Sequence, residues 1–224
     1  MNQAKGKMKA IGVLCSSVVA LGVSSVLCMS GCMQSDIACL DSLGTHVVCL
    51  GDSITQGFGA GPKTSYPAYL SQQMRLSVIN AGIEGDTSDG ALKRIKSDVL
   101  DRQPLIVIVE LGANDFLMKI PIEQTRLNVE SIITQCQKQK AIVALADVSN
   151  THLMPEYAPM FKSLSRVYKT IYIPDLLSGI YDNASMKSDC FHPNANGYKI
   201  VAQRVYRAIL PYLNQNALLT KFKK

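Results

Sequence analysis

Five short apolar segments, rich in β-branched residues, alternate along the chain with stretches of helical periodicity, and this alternation constrains the fold most strongly. The apolar segments span residues 46–50, 76–79, 105–111, 141–148 and 170–174. Continuous apolar character is typical of strands in a parallel sheet covered on both faces. The helical segments span residues 66–75, 88–101, 121–140, 157–168 and 194–213. The pattern predicts an α/β fold with three layers, α/β/α, around a central five-stranded parallel sheet.

The N-terminal 31 residues predict an export signal. Three lysines within the first nine residues precede an uncharged stretch, residues 10–31, that is rich in apolar and small residues. This order is typical of a secretory signal. The stretch ends in Met-Ser-Gly before Cys32, which resembles a bacterial lipobox, so residues 1–31 are predicted to be a lipoprotein-type signal peptide and Cys32 the lipidated residue. The chain would then be exported and lipid-anchored to a bacterial membrane, on the outer membrane or facing the periplasm; plain secretion and an uncleaved anchor are the alternatives.

The rest of the chain divides into a tether, one domain and a tail. We assign residues 32–44 to a short tether, residues 45–213 to the domain, and residues 214–224 to a frayed basic tail. A chain of this length can bury a sufficient core in one domain. The formal net charge is +6, and three of these charges belong to the N-terminal lysines, so nucleic-acid binding is not expected.

Four cysteines remain after the signal and Cys32 are set aside: Cys39, Cys49, Cys136 and Cys190. Export permits disulfides, but four cysteines allow three pairings and the sequence does not choose among them. A C-x-x-C motif and a His/Cys cluster are both lacking, so no metal is expected. The oligomeric state is left open.

Chemically active residues follow the predicted strands, at the edge where open parallel sheets bind ligands. Ser53 follows the first strand, Gly85 the second and Asn114 the third. Taken singly, each is also common in an ordinary turn or helix cap. Near the end of the chain, Asp189 and His192 stand three residues apart, a spacing that lets the carboxylate orient the imidazole as a base.

The other two histidines fit a catalytic role less well. His46 begins the first strand, at the wrong end of the sheet. His152 follows the fourth strand but has no acid at a matching spacing, so a solvated loop residue or a substrate contact is the better interpretation.

These motifs together resemble those of the GDSL, or SGNH, hydrolases. They are GDSIT at residues 51–55, GAND at residues 112–115 and DCFHPN at residues 189–194, and the resemblance runs from Val48 to about Leu213. It is closest to the bacterial branch of thioesterase I/lysophospholipase L1 and the arylesterases. It implies a flavodoxin-like sheet of the SGNH hydrolase type.

By position, the resemblance assigns Ser53 as nucleophile, His192 as base and Asp189 as the acid that orients it. The N–H groups of Ser53 and Gly85 and the side chain of Asn114 would form the oxyanion hole. It implies a serine esterase without a cofactor, which hydrolyses carboxylic esters or thioesters such as lysophospholipid, aryl or acyl esters through an acyl-enzyme.

An apolar segment directly after Asn114 predicts an acyl-binding surface. Phe116, Leu117 and Met118 belong to it, and Met154 is expected to join them from the loop after the fourth strand. Phe58 and Tyr157 are further candidates. Ordinary packing under the next helix would explain the same apolar segment.

Three other functions fit parts of the sequence. A carbohydrate or cell-wall O-acetyl-esterase uses the same catalytic groups, and a catalytically inactive surface lipoprotein could share the scaffold. Residues 57–64 approach a phosphate-binding loop motif, but Pro62 has no N–H to donate, so nucleotide binding is rejected.

Overall fold

A five-stranded sheet, with strand order β2-β1-β3-β4-β5, forms the centre of the domain. The computed structural model describes residues 37–74, 76–149 and 153–216. The strands are β1 (His46–Gly51), β2 (Ser77–Gly82), β3 (Pro104–Glu110), β4 (Ile142–Ala146) and β5 (Ile171–Ile173). All neighbouring strands pair in parallel. The predicted α/β fold with a five-stranded parallel sheet is confirmed.

Eight α-helices occur within the described residues. They are α1 (Ser53–Gln56), α2 (Tyr66–Gln73), α3 (Ser88–Lys93), α4 (Ile95–Asp98), α5 (Ala113–Leu117), α6 (Ile122–Lys138), α7 (Tyr157–Tyr168) and α8 (Ala195–Gln215). Short 3-10 turns lie at Leu100–Arg102 and Ala184–Met186.

The two faces of the sheet bury separate apolar clusters. Val47 and Cys49 of β1 pack into a cluster with side chains of α2 and α8. Val48 and Leu50 point the other way and pack with side chains of α3, α4, α6 and α7. Because successive strand residues face opposite sides, a strand covered on both faces needs apolar residues at every position.

The segment predicted as one helix, residues 88–101, is broken, and that prediction is wrong. It forms α3, α4 and a 3-10 turn, and the first break falls at Arg94. Arg94 forms ion pairs with Asp86 and Asp98 and donates to the Gly51 carbonyl oxygen at 3.1 Å. These partners come from different parts of the chain, so periodicity alone does not reveal them. The short helix α5 also lies in a segment predicted as a loop.

Both ends of the described chain meet at the amino-end edge of the sheet. The Ala38 N–H donates to the Lys169 carbonyl oxygen, just before β5. The Asn216 side chain, fully buried, donates to the carbonyl oxygens of Leu40 and Ser42 at 2.9 Å. Helix α8 thus runs past the predicted end at residue 213, and the frayed tail was predicted to begin too early.

Cys39, Cys49, Cys136 and Cys190 are all free thiols in this structure. Cys49 and Cys136 are buried on opposite faces of the sheet, and Cys190 is exposed. Cys32, the predicted signal peptide, His152 and residues 217–224 lie outside the described part. Within that part, no helix is both long enough and apolar enough to cross a membrane.

Candidate active site

Ser53 stands at the start of α1, directly after the carboxyl end of β1. The preceding residue, Asp52, caps this helix because its Oδ1 accepts the Ile54 N–H at 3.0 Å. The turn from strand to helix therefore fixes the position of the Ser53 side chain. In the described structure, the amide N–H groups of Ser53 and Gly85 have no backbone or side-chain acceptor.

Asp189, His192 and Ser53 form one chain of hydrogen bonds. His192 Nδ1 lies 2.8 Å from Asp189 Oδ2, and His192 Nε2 lies 3.0 Å from Ser53 Oγ. Asp189 Oδ1 also accepts the backbone N–H groups of Phe191 and His192 at 2.8 Å, which closes a tight turn. A carboxylate accepts only, so Nδ1 carries the proton and Nε2 is free to accept the serine proton.

The electrostatics of Asp189 favour its role as an anion. Partial burial raises the pKa of Asp189, but hydrogen bonds from the Phe191 N–H and from His192 outweigh this and bring the net pKa below its ordinary value. The carboxylate is therefore charged at neutral pH and can stabilise an imidazolium during proton transfer.

The loop after α1 supports the catalytic turn. The Phe58 ring lies against His192, with ring centroids 4.5 Å apart. The next residue, Gly59, has φ 78°, and a Cβ there would lie 1.9 Å from Ser188 Oγ. Only glycine permits this close approach. The sequence analysis predicts Phe58 as a candidate pocket residue, whereas the structure places its ring against the imidazole of His192.

Gly85 lies in the loop after β2 with φ 74°, in the region that glycine adopts most readily. A Cβ at Gly85 would meet no atom within 4 Å. The residue therefore borders open space, and the left-handed conformation rather than crowding explains the glycine.

Asn114 already uses its side-chain N–H groups in this structure. Nδ2 donates to Asp52 Oδ2 and to the Asp86 carbonyl oxygen, both at 3.0 Å. Burial raises the pKa of Asp52 to about 6, although the Ile54 N–H and Glu110 lower it. A substrate oxyanion would share or displace one of these bonds, a competition that the sequence motif does not reveal.

The residue after Asn114 ties α5 to its neighbours. Asp115 is fully buried and accepts hydrogen bonds from Ser88 N at 2.9 Å, from Ser88 Oγ and from Thr125 Oγ1 at 3.1 Å. These bonds join α5 to α3 and α6. An asparagine at position 114 is also common in an ordinary turn, and the sequence does not reveal that Asp115 anchors α5.

An apolar cavity of about 210 Å³ adjoins the catalytic turn. Its lining includes Ala113, Phe116, Leu117, Met154, Tyr181 and Phe191. Three of the four predicted pocket residues, Phe116, Leu117 and Met154, thus border one cavity. Met118 is exposed and lies outside the cavity lining, and Tyr157 instead packs edge-on against Phe116. Tyr181 comes from a segment that carries no sequence signal.

Comparison with known proteins shows to which family the chain belongs. The model of the GDSL-like lipase/acylhydrolase family matches residues 49–200. Esterase TesA of Pseudomonas aeruginosa is 28% identical over 201 residues, which cover 84% of this chain and 98% of that protein. Thioesterase 1/protease 1/lysophospholipase L1 of Escherichia coli is 26% identical over 179 residues, covering 76% and 86%.

A solved structure shares both fold and sequence. Esterase EstA of a Pseudoalteromonas species, in a form inhibited by monoethylphosphonate, superposes with a TM-score of 0.68. It is 25% identical, and the match covers 76% of this chain and 99% of that one. The chain belongs to the GDSL-like lipase/acylhydrolase family, as its motifs predict. It is a serine ester hydrolase of the SGNH type.

Proposed function

We propose that this enzyme hydrolyses medium-chain acyl esters, with Ser53 as nucleophile, His192 as general base and Asp189 as the acid that orients it. The observation that carries the proposal is the continuous hydrogen-bonded chain of these three side chains beside an apolar cavity. The proximity of nucleophile and base satisfies the geometric requirement for activating a serine hydroxyl.

The proposed reaction has two halves. Ser53 Oγ attacks the acyl carbon while His192 Nε2 takes the hydroxyl proton, and Asp189 stabilises the resulting imidazolium. The carbonyl oxygen gains negative charge, which the N–H groups of Ser53 and Gly85 and the side chain of Asn114 would stabilise. His192 then gives its proton to the leaving alcohol or thiol. Water, activated by the same imidazole, releases the acid and regenerates Ser53.

The cavity supports an acyl chain rather than an acetyl group. Its lining is largely apolar, and it borders both the catalytic turn and α5, which carries Asn114. An apolar cavity of about 150 Å³ holds one benzene in another protein. By that scale, a volume of about 210 Å³ suits chains of roughly six to eight carbons.

We expect kcat/KM for p-nitrophenyl esters to rise from acetyl to about octanoyl and then level off. Each buried methylene contributes at most about 0.8 kcal/mol, which is about fourfold in kcat/KM. Leu117→Ala should lower kcat/KM for the octanoyl ester about tenfold and leave the acetyl ester unchanged. Leu127→Ala is the matched control, because Leu127 is also an exposed helical leucine but lies outside the cavity lining. An optimum at acetyl would favour the O-acetyl-esterase alternative.

Lipid anchoring at Cys32 is the second part of the proposal. It is supported by the basic start, the uncharged stretch and the Ser-Gly-Cys sequence that precede the domain. We expect Cys32→Ser to release the protein from the membrane fraction, as followed by immunoblot after fractionation. Cys39→Ser is the control, because Cys39 lies seven residues further along and is a half-buried thiol near the Gln137 carbonyl oxygen. If the Cys32 variant stayed on membranes, an uncleaved anchor in residues 10–31 would explain the association better.

A further inference from the structure

A buried carboxyl group beneath the active site has no part in the reaction described above. Glu110 is the last residue of β3 and is fully buried. Its Oε2 accepts hydrogen bonds from the Thr55 N–H at 3.1 Å and the Thr55 hydroxyl at 2.7 Å. Within the described chain, its other oxygen, Oε1, faces no hydrogen-bond donor. A buried carboxylate with one unsatisfied oxygen is costly, so this arrangement calls for an explanation.

Glu110 lies opposite Gly51 in the pairing of β1 with β3, so the next residue, Asp52, brings a second carboxyl group close to it. Two carboxylates cannot both stay ionised in such contact, so one of them carries a proton. Asp52 accepts N–H donors at both oxygens, from Ile54 and from Asn114, and these bonds favour its ionised form. Glu110 accepts from Thr55 at Oε2, whereas Oε1 has no hydrogen-bond partner among the described residues and is left to carry the shared proton.

The electrostatics agree with this placement of the proton. Burial, and next the charge of Asp52, raise the pKa of Glu110 well above its ordinary value. Thr55, which binds Oε2, belongs to α1, the same short helix that Ser53 opens. Glu110 therefore contacts both the helix of the nucleophile and the acceptor of the Asn114 amide.

We propose that Glu110 is a positioning residue that works as a neutral acid, donating from Oε1 to Asp52 and accepting from Thr55 at Oε2. Through Asp52 it holds the Asn114 amide at the site of the oxyanion, and through Thr55 it holds the turn of Ser53. Glu110 touches no reacting atom. This inference rests on the proposed roles of Ser53 and Asn114.

Glu110→Gln is the decisive variant, because a glutamine reproduces the neutral acid and cannot ionise. Its amide oxygen can accept from Thr55 and its N–H group can donate to Asp52. We expect kcat and KM for p-nitrophenyl hexanoate within about threefold of the wild type. Glu110→Ala removes both bonds and should lower kcat by about 30-fold or more with KM within about threefold, since an oxyanion donor acts mainly in the transition state.

Two further variants separate positioning from simple loss of structure. Glu110→Met fills the same space without polar atoms and repeats the test if the alanine variant does not fold. Asp147→Asn is the matched control: Asp147 is also a buried carboxylate at the carboxyl edge of the sheet, and it accepts from Ser149 N and from the Tyr172 hydroxyl. The control should lower the melting temperature while leaving kcat unchanged.

Melting curves test the proton without any measurement of activity. A folded-state pKa raised above the unfolded value gives stability that is complete at low pH and is lost as pH rises. Glutamine has no such loss. Asp52, whose pKa burial raises to about 6, titrates in this range in both proteins. Burial raises the pKa values of Cys49, Tyr66, Tyr181 and Tyr198, so these neighbours stay neutral. The difference in melting temperature, Glu110→Gln minus wild type, should therefore increase from pH 5 to pH 8.

Each measurement has a result that overturns the inference. A glutamine variant as impaired as the alanine variant would mean that the charge of Glu110 is required. Full kcat in Glu110→Ala would remove the positioning role, and a melting difference independent of pH would remove the proton. No turnover by the wild-type chain would overturn the esterase proposal and the positioning role with it, while the melting curves would still decide where the proton lies.

Discussion

Replacing Ser53 by alanine is expected to lower kcat for p-nitrophenyl hexanoate by at least about 10⁴-fold, the largest effect of any single change considered for this enzyme. The variant keeps the N–H of residue 53 and the cavity but loses the only oxygen placed 3.0 Å from His192 Nε2 in the described site. Residual hydrolysis would come from the remaining oxyanion donors and from binding. Steady-state rates and labelling of intact protein by a phosphonate ester, read by mass spectrometry, measure the loss.

The control for this variant is Ser149→Ala. Ser149 is also a buried serine just beyond a strand at the carboxyl edge, and its hydroxyl has no partner in the described part of the chain. Its removal should leave both turnover and labelling intact. Turnover by Ser53→Ala at more than about one per cent of the wild-type rate, from protein with an unchanged melting curve, would exclude Ser53 as the nucleophile.

The layered fold could be predicted from the sequence because each central strand is buried on both faces. Every residue of Val47–Leu50 is apolar and fully buried, so the continuous apolar sequence directly indicates a strand buried on both faces. Strand and helix ends were less predictable. The break at Arg94 depends on ion pairs with Asp86 and Asp98, and the burial of Asn216 depends on carbonyl groups near residue 40. Contacts between distant parts of the chain leave no local pattern.

The residues of the candidate site also fall into two groups, those that the sequence predicts and those that it does not. Roles for Ser53, Asp189 and His192 could be proposed from the sequence because their motifs together resemble those of a known family, and the structure brings the three side chains within hydrogen-bonding distance. Glu110 and Tyr181 could not be assigned. Glu110 sits inside a strand whose pattern is apolar, and its significance comes only from its contacts with Thr55 and Asp52. The sequence motifs thus predict which groups react, whereas the residues that hold those groups in place are recognised only from the packing of the folded chain.

Replacing Asn114 by alanine is expected to lower kcat by about 10²-fold, with KM changed less than about threefold. Loss of one oxyanion donor typically costs about 10² to 10³ in kcat. The lower end is expected here because the Asn114 N–H groups already bind Asp52 and the Asp86 carbonyl, each at 3.0 Å. Forming a bond to the oxyanion means weakening one of these, so the net gain in the transition state is smaller than for an unengaged donor.

The matched control is Asn80→Ala, since the Asn80 amide also bridges to a backbone carbonyl, that of Gln56, but does so on the exposed face of β2. It should leave kcat unchanged. An Asn114→Ala variant with normal kcat and raised KM would show that Asn114 binds the ground state instead. A loss well above 10³-fold would show that Asp52 and Asp86 do not compete with the oxyanion. Asp52 and Asp86 would then hold the Asn114 amide in the orientation that binds the oxyanion. No rearrangement of the amide would be needed during the reaction, because folding had already positioned it.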